Sequence, residues 1–98
     1  MKIATFNANS IRSRLGAILG WLKANSPDVL CVQETKVQDR DFPLEPFRAA
    51  GYEVVFKGEK SYNGVAIVSR KPASDARFGL DDGKPADESR LVAARFGS

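Results

Sequence analysis

Asp28-Val29-Leu30-Cys31-Val32-Gln33-Glu34-Thr35-Lys36 decides the fold. The run from Val29 to Val32 is continuously apolar, as expected of a strand buried on both faces, and it stops abruptly at polar Gln33 and Glu34. Upstream, Lys2 to Phe6 reads as a second short buried strand, ending where Asn7, Asn9 and Ser10 begin. Between the two lies a helix signature in which Leu15, Ile18, Leu19 and Leu22 line one face. Ser10 or Ser13 is placed to cap its start, and Asn25, Ser26 and Pro27 to stop it. A strand–helix–strand unit of this kind lays its strands parallel in one sheet. Asn7 and Glu34 then both project from the carboxyl edge. Neighbouring strands lie about 4.8 Å apart, so two such side chains can share one ion. That edge is also where sheets built from such units bind ligands.

The downstream half is patterned differently. A short helix is predicted over Pro43 to Ala50, with Pro46 tolerated in the first turn and Gly51 as the stop. Tyr52 to Phe56 and Val65 to Ser69 read as strands, and the turn-rich connection Lys57 to Gly64 makes an antiparallel hairpin the natural link. Ala73 to Phe78 reads as a further strand, Asp81 to Ser89 as a polar loop, and Leu91 to Phe96 as a last strand. No repeat, low-complexity segment or linker divides the chain.

Composition bounds the function. The 98 residues make one small domain at most, and an apolar share of 43% is too high for disorder. The apolar stretches are too short and too interrupted for a membrane span, and Asn7 arrives before a signal-like core develops, so the expected compartment is the cytoplasm. The single cysteine, Cys31, excludes an internal disulfide and a multi-cysteine zinc site; within an apolar run it reads as a small buried hydrophobe. A net charge of +3 is compatible with a polyanionic partner but identifies none. The absence of histidine says more, since it excludes a Ser-His-Asp hydrolase or a His-rich zinc enzyme confined to these residues.

Glu34 is the focal residue. A carboxylate directly after a buried strand is either a solvated strand end or helix cap, or a ligand for a hard cation such as magnesium, which takes oxygen donors and few carboxylates. Asn7 is open in the same way, because asparagine after a strand is a common turn former. Their shared edge strengthens the ligand reading without naming a substrate.

Phe6-Asn7-Ala8-Asn9-Ser10-Ile11-Arg12 resembles the opening motif of the exonuclease III family of abasic-site endonucleases. The stretch from Asp28 to Lys36, with Gln33-Glu34-Thr35-Lys36 at its centre, resembles that family's second motif. Phe42-Pro43-Leu44, Gly51-Tyr52, the Gly64-Val65-Ala66 strand and Ser89-Arg90-Leu91 fall in family order and spacing, so the resemblance runs essentially the whole length. Ser10 stands where the family often has glycine, and Asn63 where its members vary.

The resemblance implies an α/β fold with a mixed sheet. It makes residues 1–98 the N-terminal, incomplete part of the four-layer α/β sandwich of the endonuclease/exonuclease/phosphatase fold. By position, Glu34 and Asn7 are then the catalytic and metal-site residues, for Mg2+ or Mn2+. Arg90, Lys36, Arg12 and Tyr62 are the DNA-binding candidates, with Arg14 secondary. Plain solvation accounts equally for Lys36 and Arg90, and Trp21 reads as helix-flank packing rather than base stacking. The implied partner is double-stranded DNA with abasic sites or 3′ ends.

In that family the water-activating residues, further metal ligands, a tyrosine and a histidine lie downstream of the matching region. The chain alone is therefore expected to have little activity, and to self-associate if an apolar sheet face stays uncovered. Two alternatives remain: another metal-dependent phosphoesterase of the same superfamily, such as an inositol phosphatase or a sphingomyelinase-like esterase, and a noncatalytic DNA-binding or assembly module.

Overall fold

The computed structural model describes residues 1–80 and 88–97. Its elements follow the order β1 (Ile3–Asn7), α1 (Ile11–Asn25), β2 (Val29–Gln33), α2 (Leu44–Ala49), β3 (Glu53–Lys57), β4 (Val65–Ser69), β5 (Ser74–Phe78) and β6 (Val92–Arg95), with a 3-10 turn at Asp39–Asp41. Part of the expected polar loop, residues 81–87, lies outside the described residues.

β1 and β2 pair in parallel, with Ile3 opposite Val29 and Asn7 opposite Gln33. β4 pairs antiparallel with both β2 and β3, giving one mixed sheet in the order β1-β2-β4-β3. β5 and β6 form a separate antiparallel pair.

Local chemistry sets the element ends. The Ser10 hydroxyl caps α1 by accepting from Ser13 N–H at 3.2 Å. Ser26 takes the left-handed conformation at φ 47°, its N–H reaching Leu22 O at 2.9 Å, and Pro27 follows. Pro46, third in α2, lacks an N–H that would have no helical partner there. α2 starts one residue later and ends one earlier than the sequence suggested.

One face of the four-stranded sheet carries the core. Leu30, Val32, Ala66 and Val68 pack with Ile11, Ile18 and Leu22 of α1 and with Phe42, Phe47 and Tyr52. Phe42 stacks on Phe56 with ring centroids 4.1 Å apart. On the opposite face Val65, Ile67 and Ser69 are also buried, and β6 packs against β4. The described residues therefore form two sheets, where the sequence suggested roughly one. That covering does not extend to β1, where Ile3 stays 63% exposed.

Candidate active site at the carboxyl edge of β1 and β2

Alternation along the two strands would keep Asn7 and Glu34 apart. Ala4 and Phe6 pack toward the helical core, as do Leu30 and Val32. Asn7 opposite Gln33 therefore belongs to the other face, and a straight continuation of β2 would turn Glu34 toward the core beside Ala8. Instead Glu34 adopts φ 54° and Lys36 φ 58°, left-handed values that cost about 1–2 kcal/mol per non-glycine residue. This turn lifts Glu34 out of the sheet's alternation, and Asn7 Nδ2 donates directly to its Oε2.

Main-chain hydrogen bonds from both sides hold the turn. Ala8 N–H donates to Gln33 O at 2.8 Å, Ser10 N–H to Glu34 O at 3.0 Å and Ile11 N–H to Thr35 O at 2.9 Å. The start of α1 thus places donors that the helix leaves unpaired on the carbonyls of the turn. From the other side, Thr35 N–H reaches Gly64 O at 3.2 Å and Lys36 N–H reaches Asn63 O at 2.9 Å. At about 0.5–1.5 kcal/mol net each, these bonds are of the size needed to offset two left-handed residues.

The side chains form a short polar chain. Lys36 Nζ lies 3.7 Å from Glu34 Oε1 and also donates to Asn9 Oδ1. Asn7 Oδ1 accepts the Asn9 N–H at 3.0 Å. The carbonyl oxygen of Asn7 is therefore committed to its own loop while its amide faces Glu34. In this geometry Asn7 turns its amide nitrogen toward the Glu34 carboxylate and its amide oxygen toward the Asn9 N–H.

The donor set fits a hard cation through Glu34. Among the described residues no group of three or more His, Cys, Asp or Glu side chains gathers. Magnesium asks for no such group, since it is commonly held by one or two carboxylates, the rest of its sphere being water and substrate phosphate.

The other predicted residues are dispersed around this edge. Arg12 is exposed in the first turn of α1, and Tyr62 is 70% exposed in the β3–β4 connection. Arg90 closes a helical turn rather than opening a strand, since β6 begins at Val92; its neighbour Ser89 accepts the Gly64 N–H at 2.7 Å. Arg14 lies 5.7 Å from the Phe6 ring centroid, a cation–π contact away from the edge. Trp21 is 41% exposed and, with Arg14, Phe6 and Leu30, lines a groove of about 400 Å³ between α1 and β1. Sequence reasoning missed Glu59, which binds Asn63 and Ser89 next to the site. Its surroundings, Lys57 to Gly64, are rich in turn formers, and no spacing marks it.

The arrangement has relatives. The sequence model described as "Endonuclease/Exonuclease/phosphatase family" matches residues 4–97. Exodeoxyribonuclease III of Haemophilus influenzae is 32% identical over 94 residues, covering 96% of this chain and 35% of that protein. An AP endonuclease from Archaeoglobus fulgidus superposes with a TM-score of 0.92 at 57% identity, over 96% of this chain and 36% of its own. A 3′ phosphatase from Neisseria bound to product DNA hairpin superposes at 0.90 with 42% identity, over 96% and 37%. The chain spans about a third of the length of these proteins. Its mixed α/β architecture is theirs over that span, and no helix among the described residues is long and apolar enough to cross a membrane. With nearly every residue matched, the chain belongs to the endonuclease/exonuclease/phosphatase family.

Proposed function

We propose that these residues are the N-terminal, metal-holding part of an exodeoxyribonuclease III or abasic-site endonuclease that acts in base-excision repair in the cytoplasm. The single observation that supports this most is the contact between Asn7 Nδ2 and Glu34 Oε2, made across two parallel strands at the ligand-binding edge. Relatives named as exodeoxyribonuclease III and AP endonuclease support the reaction class.

Glu34 holds Mg2+ or Mn2+ through its carboxylate, and Asn7 fixes the direction in which that carboxylate faces. The bound ion supplies Lewis-acid stabilisation of the charge that develops on a phosphodiester under attack by water. Lys36, already 3.7 Å from Glu34, adds positive charge beside a phosphate. Arg90, Arg12 and Tyr62 contact duplex DNA with abasic sites or 3′ ends from the rim, the arginines by bidentate phosphate contact. Residues that activate water are not among these, so the chain alone turns over little or no substrate. Its exposed Ile3 edge favours self-association, read by size-exclusion chromatography, where a compact monomer at high concentration contradicts it.

The test is a titration of the chain with Mn2+, following paramagnetic broadening by NMR. Broadening should centre on Asn7, Glu34 and Lys36 and vanish in Glu34→Gln. Broadening that persists in Glu34→Gln refutes the site. Robust cleavage of an abasic duplex by these 98 residues in magnesium refutes the claim that the machinery is incomplete. Salt-dependent DNA binding with no metal requirement points to the noncatalytic module instead.

A further inference from the structure

The connection between β3 and β4 carries a carboxylate for which the chemistry above has no use. Glu59 Oε1 accepts from Asn63 Nδ2 at 3.0 Å, and its Oε2 accepts from Ser89 Oγ at 2.8 Å. Both partners spend their main-chain carbonyls at one junction. Asn63 O receives the Lys36 N–H at 2.9 Å, and Ser89 O receives the Gly64 N–H at 2.7 Å. Gly64 O in turn receives the Thr35 N–H at 3.2 Å. One side chain thereby ties the β3–β4 connection to the turn before β6, and both to the segment carrying Glu34.

Several features make this tie consequential. Ser89 is only 5% exposed, so its hydroxyl has little water to turn to once its acceptor is gone. Asn63 sits at φ 49°, and Glu34 and Lys36 are left-handed as well. Such residues persist only where their surroundings over-determine them, and on this side Asn63 and Gly64 are the surroundings. The nearby ion pairs of Lys57 with Asp39 at 3.7 Å and with Glu88 at 4.0 Å are long and solvent-facing, and pairs of that kind hold geometry weakly.

We propose that Glu59 is a positioning residue: by holding Asn63 and Ser89 together it keeps the left-handed turn at Glu34–Lys36 in place and the Glu34 carboxylate aimed at Asn7. Its consequence for function rests on the reading of Glu34 as the metal-holding group. The role is geometric and does not depend on the negative charge. A glutamine can accept from the Ser89 hydroxyl through its oxygen and donate to Asn63 Oδ1 through its nitrogen once the Asn63 amide turns over, so it restores both contacts.

Three variants of the chain test this: Glu59→Ala, Glu59→Gln, and Glu45→Ala as a control whose carboxylate is remote on α2. Amide hydrogen exchange is read at Thr35, Lys36 and Gly64, with Val68 in the core of β4 as reference. The side-chain amide resonances of Asn7 report its bond to Glu34, and Mn2+ broadening reports metal affinity. In Glu59→Ala, exchange at the three amides should rise about tenfold while Val68 is unchanged, as expected for a local opening. The Asn7 amide should shift toward its free position, and Mn2+ affinity should fall about threefold or more.

Glu59→Gln should match the wild type in all of these. If Glu59→Ala behaves like Glu45→Ala at Gly64 and Asn7, the inference is overturned. It is also overturned if Val68 exchange rises equally, which marks general destabilisation, or if Glu59→Gln is as impaired as alanine. Should the wild type show no Mn2+ effect at Glu34, the metal reading fails; the exchange and Asn7 readouts then still decide the positioning role.

Discussion

Substituting Gly64 with alanine probes the junction between the site and the β4 strand most directly. A Cβ built on Gly64 falls 2.0 Å from Thr35 Oγ1, 3.1 Å from Lys36 N and 3.2 Å from Thr35 Cβ. Thr35 is 1% exposed and tied by main-chain bonds on both flanks, so it has little room to withdraw. Gly64 also sits at φ 95°, where a side chain costs about 1–2 kcal/mol. Overpacking a tight interior adds about 1–3 kcal/mol. Together these give about 2–5 kcal/mol, a large share of the roughly 5–15 kcal/mol that holds a domain of this size. The midpoint of thermal unfolding should fall by about 8–40 °C at about 4–8 °C per kcal/mol.

Urea unfolding followed by circular dichroism measures the effect, and two companions isolate its cause. Gly51 has a similar φ of 92° but nothing within 4 Å of a built Cβ, so Gly51→Ala carries the backbone cost alone, about 1–2 kcal/mol. Adding Thr35→Ala to Gly64→Ala removes the atom that meets the new methyl group. The double variant should then be less destabilised than the sum of its single variants, a coupling of about 1 kcal/mol or more. If Gly64→Ala loses no more stability than Gly51→Ala, the tight approach of β4 to the Glu34–Lys36 turn is not what the geometry implies, and the reasoning fails.

Other consequences are quicker to check. Ser10 holds φ 116° as the cap of α1, so Ser10→Gly should relieve strain worth more than the few tenths of a kcal/mol lost at the cap, raising stability by about 1 kcal/mol in urea unfolding; a loss would refute this. The Lys2 main-chain N–H, 2.7 Å from Asp28 Oδ2, holds the Asp28 carboxyl below the usual carboxylate range. Because its folded-state value is depressed, the stabilisation is present above the unfolded pKa near ~3.9 and disappears as pH falls through the lower folded value. A carboxyl carbon titration by NMR should place the Asp28 midpoint below that of a free aspartate, and a midpoint at or above it contradicts the assignment. Burial pushes the Cys31 thiol up, so at pH 8 its alkylation by iodoacetamide should run about tenfold slower in the folded chain than in urea, read by mass spectrometry.

Much of this architecture was legible because hydrophobic pattern and turn chemistry agree locally. Val29 to Val32 lacks alternation and proved to be an interior strand between β1 and β4, with Val29, Leu30 and Val32 buried and Cys31 only half-buried. Ser10, Ser26-Pro27 and Gly51 marked helix ends because each does a job that few other residues do as well. Less visible was how the β5–β6 pair would meet β4, since its strands are exposed along much of their length and carry little periodic signal. Residues far apart in the chain, such as Glu59 and Ser89, meet only through tertiary packing that no local spacing encodes.

The site itself was legible for a reason that turned out to be incomplete. Adjacency of two parallel strands predicts that Asn7 and Glu34 come together, and they do touch. Yet adjacency alone sets Glu34 on the core side, because side chains at paired positions share a face and Glu34 follows Asn7's partner Gln33 by one residue. The contact exists because the chain leaves β2 through a left-handed turn at a glutamate, a conformation that sequence propensity disfavours. Such a turn needs support from beyond its own strand, and here the support comes from the start of α1 on one side and from Asn63 and Gly64 on the other. Geometry at the carboxylate is therefore set by residues outside the Asn7–Glu34 contact itself. Variants at Gly64 and Glu59 should disturb Glu34 without touching it, whereas exposed substitutions on α2, which supports neither flank of the turn, should not.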